Sequence, residues 1–245
     1  MNKVIEFPVK PIIQPESECA PACLAMVLSY FKKSWTMNEI IKAVPKDSPK
    51  WRDWLYWLGS LAIKKGLAAE MITMSTQTFD MSWQKLSQKK LLEKLKEELQ
   101  FNKKVIQTKK EPYANYFQEH HSKIEKLELE GAIQFLKNGG TIKIIPTTSR
   151  LIEQALMKKS LAIASLDASI LYRSKRGLLK DDDIKGTTWG HVVVINGCKG
   201  NTFSIVDPAN WYKKNQKFSI LKEYLIESIL RRDQNLLLLK NIRVE

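Results

Sequence analysis

Gln14-Pro15-Glu16-Ser17-Glu18-Cys19-Ala20-Pro21-Ala22-Cys23-Leu24-Ala25-Met26-Val27-Leu28 places a thiol at the threshold of an apolar helix. Pro21 suits the first turn of that helix, where its missing N–H costs nothing. The run from Ala22 to Phe31 is apolar on nearly every side, which marks a helix buried at the centre of the molecule. A free cysteine is most often a small buried apolar residue. Cys23, inside the apolar run, fits that role. Cys19 fits it poorly, because Glu16, Ser17 and Glu18 make its approach polar. It stands two residues before Pro21, where the positive end of a helix dipole stabilises a thiolate. Gln14, five residues earlier, carries an amide that can donate to an oxyanion together with the Cys19 N–H.

A second stretch supplies complementary groups. Trp189-Gly190-His191-Val192-Val193-Val194-Ile195-Asn196-Gly197 and Phe203-Ser204-Ile205-Val206-Asp207-Pro208 read as two strands. The turn-rich Asn196-Gly197-Cys198-Lys199-Gly200-Asn201 connects them as a hairpin. With the turn near residues 197–201, His191 and Asp207 lie opposite each other at its open end. A lone strand-end histidine usually only packs, and Asp before Pro is a common turn residue. Side by side they do more: the carboxylate binds one ring nitrogen and leaves the other for a thiol. Cys19, His191, Asp207 and Gln14 are the parts of a cysteine-nucleophile acyl-transfer site.

The remaining chain gives the frame. Ser34-Trp35-Thr36-Met37-Asn38-Glu39-Ile40 is a helix start, with Thr36 as cap, Glu39 closing a capping box, and Trp35 and Ile40 as staple. Trp51 to Lys65 reads as a third helix stopped by Gly66, and Leu67 to Met74 as a strand. Residues 83–100 form a Lys/Glu-rich amphipathic helix. Residues 102–127 are polar, carry Pro112 and His120-His121, and read as an excursion from the core, a lid or an arm. Glu128 to Lys137 is helical and ends at Asn138-Gly139-Gly140. A strand at Thr141 to Ile145 and a helix at Ser149 to Lys158 follow. From Leu161 the period becomes two: Leu161 to Leu166, His191 to Gly197, Thr202 to Val206 and Leu236 to Leu239 read as strands. Phe218 to Leu230 is a late helix on that sheet. Helices first and a mainly antiparallel sheet after them argue for an α+β fold. Residues 1–245 are expected to form one domain, with a helical, Lys-rich insertion at about 75–140.

Bulk properties narrow the function. The chain has 245 residues and a formal net charge of +14. The excess is mostly Lys and is spread along the chain, without an RNA-recognition, helix-turn-helix or zinc-finger pattern, so a nucleic-acid partner is not expected. Cys19, Cys23 and Cys198 are too few for a disulfide framework and favour a reducing compartment. The N-terminus has no apolar core of signal-peptide length, and no stretch approaches a membrane span. Cytoplasmic residence is the expectation, with export by a route that needs no N-terminal signal left open. His120-His121 beside Glu119 lacks metal-ligand spacing, and no phosphate loop or dinucleotide fingerprint is present. No cofactor and no metal are called for. Oligomeric state is left open.

The quoted residues also carry a resemblance. Cys19-Ala20-Pro21-Ala22-Cys23-Leu24-Ala25-Met26-Val27-Leu28, with Glu18 at an acidic position, resembles the nucleophile segment of the bacteriocin-processing cysteine peptidases, family thirty-nine, in the papain-like superfamily. Gly190-His191-Val192-Val193-Val194 and Asp207-Pro208 resemble that family's His and Asp-Pro segments. Trp51-Arg52-Asp53-Trp54 and Lys64-Lys65-Gly66-Leu67 are similar to features of its stand-alone, peptidase-like branch. The resemblance implies a papain-like fold, with a nucleophile helix packed on a mainly antiparallel sheet. It implies Cys19 as nucleophile, His191 as general base and acid, Asp207 as orienter, and Gln14 as oxyanion donor, acting on a peptide or protein substrate. Peptide or isopeptide cleavage is the first expectation, and acyl transfer or peptide ligation by the same residues the second. A peptide-binding module without catalysis is the third. Three features depart from the family pattern. Ala20 stands where Gly is usual, which would lose a backbone angle only Gly tolerates. Gln14 is one residue closer to the cysteine than is common. The Cys-to-His separation is longer than in transporter-fused members.

Overall fold

A computed structural model describes residues 4–15, 17–44, 54–108, 123–177, 182–210, 216–232 and 234–242. In chain order its elements are β1 (Ile5–Glu6), α1 (Cys19–Tyr30), α2 (Met37–Ala43), α3 (Trp54–Lys64), β2 (Leu67–Thr73), a 3-10 turn (Met81–Lys85), α4 (Gln88–Thr108), α5 (Lys123–Lys137), β3 (Thr141–Ile144), α6 (Ser149–Met157), β4 (Leu161–Asp167), α7 (Ala168–Tyr172), β5 (Gly190–Lys199), β6 (Thr202–Val206), β7 (Lys217–Leu221), α8 (Lys222–Leu230) and β8 (Leu236–Asn241). The strands form one sheet in the order β3-β2-β8-β4-β5-β6-β7, with β1 beside β5. Its neighbours are antiparallel except β2 and β3. This is the α+β, mainly antiparallel architecture the sequence predicts.

Side-chain alternation divides the sheet into two buried faces. Leu161 and Ile163 of β4, Val192 and Val194 of β5, and Leu237 and Leu239 of β8 join the core under α1, α3, α4 and α5. Ala162, Ala164, Val193, Ile195, Leu236 and Leu238 point the other way, into a second core under α6, α7 and α8. β4 is buried at every position, which is why its sequence is a continuous apolar run rather than an alternation. On the first face, Ala20 to Leu28 of α1 are all buried, as their uniform apolarity requires. The Thr36 and Glu39 capping box is formed in both directions: Thr36 N donates to Glu39 Oε2 at 2.7 Å and Glu39 N to Thr36 Oγ1 at 3.3 Å.

The helices that flank the 102–127 excursion belong to the core. Leu91 and Leu95 of α4 and Leu129, Ala132, Phe135 and Leu136 of α5 are buried in the same core as Leu24 and Leu58. Phe135 sits between two glycines, and a Cβ at Gly59 or at Gly140 would stand 2.5 Å from its ring. The Gln88 amide pairs with both backbone groups of Ile142, at 3.0 and 2.7 Å, and so covers the outer edge of the sheet. Residues 109–122, with His120-His121, lie outside the described residues, as do Trp51-Arg52-Asp53.

Two local expectations change. The hairpin turn is Gly200-Asn201 alone, because Lys199 already pairs with Thr202 and Asn196 to Lys199 belong to β5. Gly200 takes φ +54°, which a two-residue hairpin turn demands. Phe218 to Leu221, read as the start of a helix, is strand β7, pairing Ile205 with Phe218 and Phe203 with Ile220. The entry segment contributes β1, which pairs Ile5 with Cys198. Among the described residues no helix is long and apolar enough to cross a membrane.

Phe135→Ala should lower stability by about 3–5 kcal/mol, the usual cost of emptying a packed aromatic site. A urea titration would show one transition at a lower midpoint. A loss near zero would mean that α4 and α5 are not integral to the core.

Candidate active site

Cys19 is the first residue of α1, so the helix begins two residues earlier than Pro21 suggests. Pro21 still lies in the first turn, where no N–H partner is required. Glu18 takes the N-cap position without capping through its side chain. The Cys19 N–H is therefore one of the first-turn donors that the helix itself cannot satisfy. The thiol is half-buried, whereas Cys23 and Cys198 are buried. Burial pushes the Cys23 thiol well above its ordinary pKa, with the nearby Cys19 and Asp207 adding to the effect. Its Sγ contacts the Val192 carbonyl oxygen at 3.3 Å. Cys23 is the structural cysteine of the pair.

His191 Nε2 lies 2.8 Å from Asp207 Oδ1, and both side chains are almost fully buried. The Cys19 thiol is close enough to the same imidazole to interact with it electrostatically. With Nε2 engaged by the carboxylate, Nδ1 is the nitrogen left for sulfur. Burial alone would lower the imidazole pKa. The hydrogen bonds and charges of Asp207 and Cys19 outweigh it and raise the value to about 9. The three groups come from different layers. Cys19 packs against the first core, whereas His191 shares the β5 face of Val193 and Ile195. They meet at the open end of β5.

The hairpin brings His191 and Asp207 together, though not in the register expected. Val194 pairs with Val206 and Ile195 with Ile205, and the register shifts between Ile195 and Gly197. Asn196 is an extra residue, a β-bulge. Extending the pairing puts Asp207 opposite Val193, so His191 is its diagonal neighbour on the same face and still within side-chain reach. The bulge has a second use. Asn196 O accepts from Phe7 N at 2.8 Å, and Asn196 Nδ2 donates to Phe7 O at 2.7 Å, fastening the N-terminal segment to β5. Gly197 allows this approach, since a Cβ there would stand 2.4 Å from the Ile5 carbonyl oxygen.

That segment leads to Gln14, which is 5% exposed. Its N–H donates to the Pro208 carbonyl at 3.0 Å, tying it to the Asp207-Pro208 segment, and a Glu18 N to Pro15 O bond at 3.1 Å turns the chain back toward Cys19. Ala20 lies in regular helix and is absent from the residues with positive φ. The Gly-only angle feared at this position is not used, and the substitution leaves the backbone of the site intact.

Sequence reasoning passed over Tyr172. Its hydroxyl donates to Asp207 Oδ2 at 2.7 Å, while Ala209 N donates to Oδ1 at 2.8 Å. Burial and the Asp207 charge raise the phenol pKa, so it stays a donor. Tyr172 and Trp189 flank the imidazole, with ring centroids 6.0 and 5.8 Å from it. The sequence signal was Asp167 at the end of an apolar strand. It is the N-cap of α7, accepting from Ser169 N at 2.9 Å and Ile170 N at 3.3 Å, and this short helix delivers Tyr172. Among the described residues no group of three or more His, Cys, Asp or Glu is placed to hold a metal.

The Peptidase_C39 like family matches residues 6–227. A Bacillus anthracis crystal structure described as C39-like aligns over 98% of this chain and 99% of that one, with 10% sequence identity and a TM-score of 0.47. No curated protein matches the sequence.

Two outcomes follow from the geometry. An imidazole held at about 9 in the fold, against an ordinary 6.5, stabilises fully below pH 6.5 and loses that contribution as pH rises through about 9. Urea midpoints should fall across that window, and the fall should be absent in His191→Gln; identical profiles would refute the ion-pair reading. Tyr172→Phe leaves one Asp207 oxygen without its donor and should cost about 1–3 kcal/mol. It should also slow alkylation of Cys19, a readout that simple packing loss would leave unchanged.

Proposed function

The chain belongs to the C39-like peptidase family, a cysteine peptidase-like family, and from that membership we propose that it cleaves a peptide or isopeptide bond with Cys19 as nucleophile. The observation that carries the reading is the shared imidazole: His191 bonds the buried Asp207 carboxylate and interacts with the nearby Cys19 thiol. The raised imidazole pKa favours a proton resting on His191 at neutral pH.

The steps follow from these positions. Cys19 Sγ attacks the scissile carbonyl carbon. Negative charge develops on the carbonyl oxygen, and the Cys19 N–H at the start of α1 with the Gln14 side-chain amide is the donor pair assigned to it. The tetrahedral intermediate collapses as the carbon–nitrogen bond breaks, and the His191 proton passes to the leaving amine. The acyl group is now a thioester on Cys19. Water attacks it, His191 takes the water proton, and the thiol is released with a carboxylic acid as second product. Asp207 keeps the imidazole in one orientation throughout, and Tyr172 with the Ala209 N–H keeps Asp207 in place. The partner this chemistry implies is a peptide or protein substrate.

Brief treatment with iodoacetamide near pH 6 should alkylate Cys19 well ahead of Cys23 and Cys198, as read by peptide mass mapping. Against a mixed peptide pool, Cys19→Ala should abolish cleavage, a loss on the order of a thousandfold or more. Uniform labelling of the three thiols, or cleavage that survives Cys19→Ala, would sink the proposal.

A further inference from the structure

A second concavity, of about 930 Å³, lies at the far end of α1 from Cys19. The twelve residues of that helix set the two sites roughly 17 Å apart. Four lysines line it: Lys32 beyond α1, Lys158 and Lys159 beyond α6, and Lys240 on β8. All four are exposed. Among the described residues none of them has a carboxylate within ion-pair distance, although other lysines do.

Helix capping explains part of this. Lys32 and Lys159 take φ 57° and 60° and close the two helix ends, where Lys33 N bonds Leu28 O and Ser160 N bonds Ala155 O, each at 2.9 Å. Cations suit the negative ends of helix dipoles. Glycine would serve these left-handed positions with less strain, by about 1 kcal/mol each. Capping does not account for Lys240, which comes from a strand and lines the same space. Phe31, Ala68 and Ile242 add an apolar wall, with Ile242 56% exposed.

We propose that this pocket binds a small organic polyanion, a phosphorylated molecule with an aryl or apolar body, independently of the thiol site. Four lysines from three elements suit a ligand with several negative charges, since lysine binds phosphate as a mobile point charge. The volume is that of a small-molecule pocket. A concave site of this size favours a compact ligand over a membrane plane. The apolar wall accommodates the body of the ligand while the lysines hold its charged end.

Calorimetry on the full chain in metal-free buffer tests this, with adenosine triphosphate and inorganic triphosphate as probes. The nucleotide should bind one to one and about tenfold or more tighter than inorganic triphosphate, because only it can use the apolar wall. Lys158→Gln with Lys240→Gln should weaken nucleotide binding by about tenfold or more. Lys89→Gln with Lys199→Gln, exposed elsewhere, should leave it unchanged. Thermal melts by circular dichroism check that both pairs fold, and Lys32→Gln gives a single-site alternative if the first pair does not. Absence of saturable binding, or equal losses in the two pairs, would overturn the proposal. So would equal affinity for the two probes, or binding confined to phosphatidylglycerol vesicles.

Discussion

A carboxylate that is 2% exposed must find donors for its oxygens or give up its charge. Asp207 meets that demand with an imidazole, a phenol and a backbone N–H. Much of the surrounding architecture follows from it. The imidazole requires the start of β5 beside the end of β6. The phenol requires α7, and α7 requires the Asp167 cap at the end of β4. The backbone N–H of Ala209 requires the chain to turn directly after Pro208. That turn presents the Pro208 carbonyl to Gln14, and so reaches the segment leading into α1. A buried charge is a weak source of stability, yet it is an effective source of order, because each donor has one acceptable place.

What could be read in the sequence was local. The buried helix after Cys19 and the capping box at Thr36 and Glu39 depend on residues close in the chain, and both appear in the structure. The existence of the β5–β6 hairpin was legible for the same reason. Its register was not, because the bulge at Asn196 is stabilised by the distant Phe7 rather than by its neighbours. β7 was hidden because its few residues run straight into α8, and only pairing with β6 distinguishes the two. Tyr172 was hidden inside an apolar run, and Asp167, the polar residue within it, is a helix cap. The worry over Ala20 came from pattern, and the helical backbone removes it.

The site also shows why its parts are separated by so much chain. The thiol needs a helix start, which the first core layer supplies. The imidazole and carboxylate need a rigid strand pair, which the sheet supplies from its other face. Their meeting point is the end of β5, the strand that α1 packs against. Neither layer alone supplies all of these groups.

β8 lies between β2 and β4 and pairs with each of them. Until residues 236–241 emerge from the ribosome, the sheet is two halves with bare edges, β2–β3 under α3, α4 and α5 on one side and β4–β7 on the other. The closing strand is the one made last among these, so the two halves of the sheet are joined only after nearly all of the described chain has been synthesised.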